Sequence, residues 1–276
     1  MALRMTLLMK QLALIVLVFI FTRPSPAGDG TRETVRDDFA RLFDSAHVSG
    51  SFVLYNLQDS SWIFCNRAQF TQKFTPASTF KICNSLIGVE TGVIRDESFV
   101  IPWDSVERSR PEWNHDHDLR SAFRNSTVWY YQELARRVGG ERMKYWLDRV
   151  RYGNADTAGG IDRFWLSGNL RVTPQEQIDF LTRLHNNDLP FSSRTMGIVK
   201  RIMIADSTAQ YVLRAKTGWG SEGDSDIGWY VGYVERGGNA WAFATCIQHA
   251  GSELPSFARA RIDITRRILR TLGIIE

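Results

Sequence analysis

The chain has 276 residues, of which 43% are hydrophobic, 12% aromatic and 23% charged, a globular balance that excludes a disordered chain, a collagen or a coiled coil. Its formal charge of +4 falls to +1 without Arg4, Lys10 and Arg23, which lie in an N-terminal stretch that reads as removable. No long Lys/Arg block follows, so a nucleic-acid partner is not expected and a small-molecule site is.

Residues 1–27 combine a basic start, a ten-residue apolar run from Leu12 to Phe21 and a polar stretch ending Ser25-Pro26-Ala27. At about 1.5 Å per residue that run falls well short of a hydrocarbon core of roughly 30 Å. The expectation is a cleavable signal peptide cut after Ala27, export to the periplasm and no membrane contact afterwards. Residues 28–276 are then expected to form a single domain with two lobes. Cys65, Cys83 and Cys246 are an odd number without C-x-x-C spacing, so a disulfide framework is not indicated.

Val35, Phe39, Leu42, Phe43 and Ala46 recur at helical spacing, followed by strands over Gly50 to Asn56 and Ser61 to Cys65 around a Gln58-Asp59-Ser60 turn. Helices are expected from Thr79 to Thr91, Asn125 to Val138 and Glu141 to Arg149, each closed or separated by glycine. Thr173-Pro174-Gln175-Glu176 is a helix start with a hydroxyl cap and a reaching glutamate. Another helix follows near Ser193 to Ile204. Strands return at Tyr211 to Lys216, Ile227 to Glu235 and Ala240 to Gln248, with turns expected at 218–226 and Gly237-Gly238-Asn239, before a last helix from Ser256 to Leu272. The fold class is therefore α+β: a mainly antiparallel sheet built from both chain ends, with flanking helices and a helical lobe inserted in the middle. A groove between the lobes is the natural ligand site.

Ser78-Thr79-Phe80-Lys81 is S-x-x-K at a helix start, where a spacing of three puts hydroxyl and amine on one face. An ammonium cannot take a proton from Ser78, so Lys81 must be neutral or modified, which needs apolar walls; Phe80, Ile82, Val128, Trp165 and Leu166 are candidates. Lys216-Thr217-Gly218 lies at the end of an expected strand, and its cation and hydroxyl suit a substrate carboxylate. S-x-x-K early with K-T-G late is the signature of penicillin-recognising serine enzymes. Between them stand Ser126-Thr127-Val128, Tyr152-Gly153-Asn154 and Phe164-Trp165-Leu166.

Together these motifs resemble the class D, oxacillinase-type, serine β-lactamases over essentially the whole mature chain, with a β-lactamase/transpeptidase-like fold implied. The S-D-N of class A is absent, since Ser225-Asp226 is followed by Ile227. The resemblance implies hydrolysis of β-lactams, penicillins and oxacillin included, through a Ser78 acyl-enzyme. It implies a Lys81 N-carboxylated by carbon dioxide as general base, with Trp165 donating its indole N–H to the modified lysine and Val128 and Leu166 walling it. Ser126 would relay a proton to the leaving nitrogen and contact Lys216, and the backbone N–H groups of Ser78 and Trp219 would form the oxyanion hole. Thr217, Gly218 and Trp219 would line the substrate, an arginine of the last helix would bind its carboxylate, with Arg261 fitting the Ile264, Ile268 and Leu269 spacing better than Arg259, and Trp113 would line the mouth. No metal and no cofactor beyond carbon dioxide or bicarbonate is implied. Cys83 departs from the proline common among relatives.

Gly218-Trp219-Gly220-Ser221-Glu222-Gly223 satisfies G-x-G-x-x-G, but a strand pattern follows in place of the helix that a pyrophosphate needs. Asn114-His115-Asp116-His117-Asp118 offers metal-ligand types without a partner cluster and reads as a polar loop. Trp129-Tyr130-Tyr131 and Trp229-Tyr230 read as packing. A β-lactam sensor or a cell-wall transpeptidase shares the motifs and would acylate without turnover. The patterning does not distinguish monomer from homodimer.

Overall fold

The computed structural model describes residues 32–251 and 254–276, which all fall in one compact unit. The expected signal peptide lies outside the described residues. The elements run β1 (Glu33–Val35), α1 (Ala40–Ser45), β2 (Ser49–Asn56), β3 (Ser61–Cys65), α2 (Lys81–Glu90), α3 (Leu119–Arg124), α4 (Val128–Val138), α5 (Gly140–Val150), α6 (Pro174–Asn186), α7 (Ser193–Ile202), β4 (Ile204–Ser207), β5 (Tyr211–Glu222), β6 (Ser225–Arg236), β7 (Asn239–Ala250) and α8 (Phe257–Thr271). One seven-stranded sheet has the order β1-β3-β2-β7-β6-β5-β4, antiparallel throughout except for β1 beside β3. β2 of the N-terminal hairpin pairs with β7 near the C-terminus, so the sheet is assembled from both chain ends.

Period-two alternation sorts the sheet residues onto two faces. Trp229, Val231 and Tyr233 of β6 face a core shared with α2, α4, α5, α6 and α7, while Tyr230 and Val234 face one shared with α1 and α8. The two hydrophobic cores are thus the two sides of one sheet. Thr173 caps α6 by accepting from the Glu176 backbone N–H at 3.0 Å, while Glu176 accepts from the Thr173 N–H at 2.8 Å, the expected reciprocal pair.

Four expectations are corrected. Val35 ends strand β1, paired with Phe64 and half-exposed, so its helical spacing from Phe39 is coincidental. The segment from Gly218 to Glu222 extends β5 in register with β6, and only Gly223-Asp224 turns. Its glycines serve close approach: a Cβ at Gly218 would lie 3.0 Å from the Pro76 carbonyl oxygen, and one at Gly220 3.0 Å from the Thr75 methyl. The helix expected from Asn125 starts three residues later, at Val128: a separate α3 ends at Arg124, and Ser126 between the two has φ of 54°. Ile204 begins β4, pairing with Arg214, and does not extend α7.

Gly232 sits opposite Ala215 in the β5–β6 ladder, where a Cβ would collide with the Arg214 carbonyl oxygen. Gly232→Ala should therefore destabilise the protein by about 2–3 kcal/mol, the usual cost of overpacking against backbone. A Tm lowered by roughly 5–10 °C in calorimetry is expected; an unchanged Tm would show that the ladder can open there.

Candidate active site

Ser78 lies in a 3-10 turn (Ala77–Phe80) that runs into α2, and the turn starts from Ala77 at φ of 46°, a left-handed conformation strained for alanine. The helical continuation brings Lys81 Nζ to 2.7 Å from Ser78 Oγ, donating to it. Ser78 is half-buried, whereas Lys81 has no exposed surface. The ring of Tyr131 lies 5.3 Å from Nζ, and Phe80 packs on Trp165 at 5.4 Å. Ile82, fully buried, and Leu166, half-buried, belong to the same apolar core. Burial first, and then the charges of Lys216 and Arg110, push the Lys81 amine well below its ordinary value. The neutral amine is therefore the form this environment favours.

From β5, Lys216 Nζ donates to Ser126 Oγ at 3.1 Å, to the Thr217 carbonyl at 3.0 Å and to Thr217 Oγ1 at 3.3 Å. Ser126 stands just before α4 in a left-handed conformation, with φ of 54°. Burial, with Arg261 and Arg110 adding like charge, lowers Lys216 to about 7. β4 pairs only with Val212 to Arg214, so beyond Lys216 the β5 edge is covered by no strand among the described residues. The turn that carries Ser78 packs beside it, as the crowding at Gly218 and Gly220 shows.

Arg261 of α8 is buried and stacks 5.9 Å from the Trp219 ring; its Nε and Nη1 have no partner among the described residues. Burial pulls it down to about 10. Arg259 projects outward and pairs with Asp263 at 3.3 Å, so of the two candidates Arg261 faces the site. Ser78, Arg110, Trp113, Ser126, Val128, Thr217, Trp219 and Arg261 line one cleft of about 190 Å³. A larger cavity of about 730 Å³ lies beyond Lys216 and Thr217, lined by Arg120, Arg124, Arg201 and Arg266, but Ser78 does not line it. The serine chemistry belongs to the smaller cleft.

The Tyr152-Gly153-Asn154 motif stands behind the site. Gly153 has φ of 53°, and any Cβ would strike the Arg171 carbonyl. Asn154 accepts from the Arg171 N–H at 2.9 Å and donates to the Asn169 carbonyl at 2.9 Å. These contacts clamp the base of the loop that carries Trp165 and Leu166, whose carbonyls also accept from Thr75 Oγ1 at 3.3 and 3.4 Å. Trp165 is buried, and its indole N–H has no acceptor among the described residues. A buried donor left without a partner costs about 1–3 kcal/mol, which points to an acceptor beside it in the working enzyme. A lysine displaced toward its neutral form and an orphaned donor fit N-carboxylation of Lys81.

Sequence reasoning passed over three contributors. Tyr131 is core, but core against Lys81. Glu222 accepts from the Thr75 N–H at 2.5 Å and pairs with Arg171 at 3.1 Å, tying the β5–β6 hairpin to the Trp165 loop. Arg110 lines the cleft, and its only local signal was an arginine before proline, three residues ahead of Trp113. His115 and His117 face each other at 4.2 Å, with His117 held by Ser121 and the Glu112 carbonyl, both at 3.1 Å. Burial lowers the His117 pKa. Among the described residues no group of three or more His, Cys, Asp or Glu could hold a metal.

Residues 48–270 match the family model described as the penicillin binding protein transpeptidase domain. The chain is 42% identical over 228 residues to the probable β-lactamase YbxI of Bacillus subtilis (strain 168), covering 83% of this chain and 82% of that protein. It is 41% identical to β-lactamase OXA-48 of Klebsiella pneumoniae, covering 84% and 87%. Among solved structures, a class D β-lactamase YbXI from Nostoc superimposes with a TM-score of 0.83 at 46% identity, over 86% of this chain and 99% of that one. A class D β-lactamase from Sebaldella termitidis superimposes at 0.85 with 38% identity, over 89% and 100%. With a serine–lysine pair in a cleft of this form and relatives at these levels, the chain belongs to the class D serine β-lactamases, hydrolases acting on β-lactams.

Proposed function

We propose that Ser78 is the nucleophile and that Lys81, carboxylated on Nζ, is the base that turns it over. The observation that carries this reading is the 2.7 Å contact between Lys81 Nζ and Ser78 Oγ at a lysine with no exposed surface. Only a neutral amine adds carbon dioxide; an ordinary lysine is neutral in roughly one molecule in a few thousand at pH 7. Carboxylated, the lysine supplies an anionic oxygen base for both half-reactions. Trp165 would hold that group through its indole N–H, with Val128 and Leu166 as apolar walls.

Ser78 Oγ attacks the lactam carbonyl carbon, the ring C–N bond breaks, and the serine proton ends on the leaving nitrogen. Ser126, held at 3.1 Å by Lys216, is placed to pass that proton on. Water then attacks the ester: its hydroxyl goes to the carbonyl carbon and its proton returns to Ser78. Backbone N–H groups of Ser78 and Trp219 would stabilise the oxyanion of each step. Lys216, Thr217 and the unpartnered guanidinium of Arg261 would take the substrate carboxylate, with Gly218 admitting substrate close to the strand and Trp113 at the mouth.

The substrates are proposed to be penicillins, oxacillin included. The basic start and apolar run of residues 1–27 support export through a cleaved leader to the periplasm. Among the described residues no helix is long and apolar enough to cross a membrane. Intact-mass measurement after rapid mixing with benzylpenicillin should give a transient one-to-one adduct mapping to Ser78 and absent from Ser78→Ala. An adduct on another residue, or turnover surviving in that variant, would remove Ser78 from the role.

A further inference from the structure

Two guanidinium groups line the serine cleft, each against its own tryptophan: Arg261 is 5.9 Å from the Trp219 ring and Arg110 is 5.1 Å from the Trp113 ring. A β-lactam nucleus carries one carboxylate, for which Arg261, Lys216 and Thr217 suffice. Arg110 is left over. It is held in place by covalent and packed restraints. Its backbone is extended, at φ of −99° and ψ of 105°, as the following Pro111 requires. Its platform is fixed too: the Trp113 indole N–H donates to the Asn125 carbonyl at 3.0 Å, and Trp129 donates to the Trp113 carbonyl at 2.8 Å.

The nearest carboxylate to Arg110 is Glu112, at 3.9 Å, with both side chains about half exposed. That contact is too long for a charge-assisted hydrogen bond. The charge of Arg110 nonetheless reaches the site, where it helps depress Lys81, Lys216 and Arg261. A like charge at the mouth of an already cationic cleft works against the binding of cationic side chains and favours anionic ones.

We propose that Arg110 is a specificity-determining residue that recognises an anionic group, a carboxylate or sulfonate, on the acyl side chain of the β-lactam. This rests on Ser78 being acylated in this cleft. The substrate class it selects is therefore the dianionic penicillins, with one carboxylate on the nucleus and a second charge on the side chain.

The test compares acylation of the purified enzyme by benzylpenicillin and by carbenicillin, which differs from it by one side-chain carboxylate. In Arg110→Gln the carbenicillin rate constant per unit concentration should fall about three- to tenfold relative to benzylpenicillin, the range for one charge-assisted contact at a half-exposed site. Arg110→Lys, which keeps the charge but not the planar stack, should recover part of that ratio. An unchanged ratio in Arg110→Gln, or an equal loss on both substrates, would overturn the proposal, the second by assigning Arg110 a structural role. Because the readout is acylation, an enzyme that acylates without turning over would count against the proposed deacylation step and leave the assignment of Arg110 standing, whereas no adduct from either substrate would count against Ser78.

Discussion

Lys81→Met should lower benzylpenicillin turnover by about three orders of magnitude and abolish any response to bicarbonate, the scale on which a positioned general base contributes. The amine it removes is the one Ser78 contacts at 2.7 Å, and no second base among the described residues is within hydrogen-bond distance of Ser78 Oγ. The same substitution should raise Tm. The Lys81 amine is pushed well below its ordinary value in the folded state, chiefly by burial. The unfolded chain therefore binds a proton that the native state refuses, and stability is lost as pH falls from the unfolded pKa through the folded one. At neutral pH that penalty is in force, and an apolar side chain of similar length escapes it. In the wild type, activity at fixed bicarbonate should fall as pH drops through the depressed value, because protonation removes the form that adds carbon dioxide. Bicarbonate-responsive turnover surviving in Lys81→Met would sink the assignment.

The second large effect is expected at Trp165. Trp165→Phe keeps most of the ring that packs on Phe80 and removes the buried N–H. A hydrogen bond to a charged group contributes about 1.5–3 kcal/mol, so the bicarbonate concentration needed for half-maximal activity should rise roughly ten- to a hundredfold. Excess bicarbonate should restore turnover, and the carbon-13 signal of carboxylated lysine should titrate in parallel. Thermal stability without bicarbonate should change little, since relief of the unpartnered donor is offset by the packing the smaller ring loses. A half-saturation equal to that of the wild type would mean that Trp165 serves packing alone.

What could be read along the chain follows local rules. Residue spacing of three on a helix places Ser78 beside Lys81, alternation marks the sheet residues, and Thr173 with Glu176 announces the start of α6. The motif set was enough for the family and for most of the cleft. The misreadings occurred where a local cue had a non-local cause. Gly218 and Gly220 read as turn residues because glycine usually means a turn; here they are strand residues kept small by the Thr75–Thr79 segment packed against them. Tyr152-Gly153-Asn154 carried family information but no hint that it clamps the Trp165 loop from behind.

The sequence by itself brought out the proposed nucleophile and its lysine, a pair that depends on residue type and a separation of three, and, through the resemblance carried by its whole motif set, the class of reaction. Only the tertiary structure displaces Lys81 toward its neutral form, since burial is a property of everything packed around it. It also shows why helical spacing favoured Arg261 over Arg259, two residues apart on one helix: one is turned under Trp219 and the other to solvent. Arg110 is the plainest case: charge at a cleft mouth acts through space, and no spacing along the chain records how near Arg110 comes to Ser78, Lys216 and Arg261.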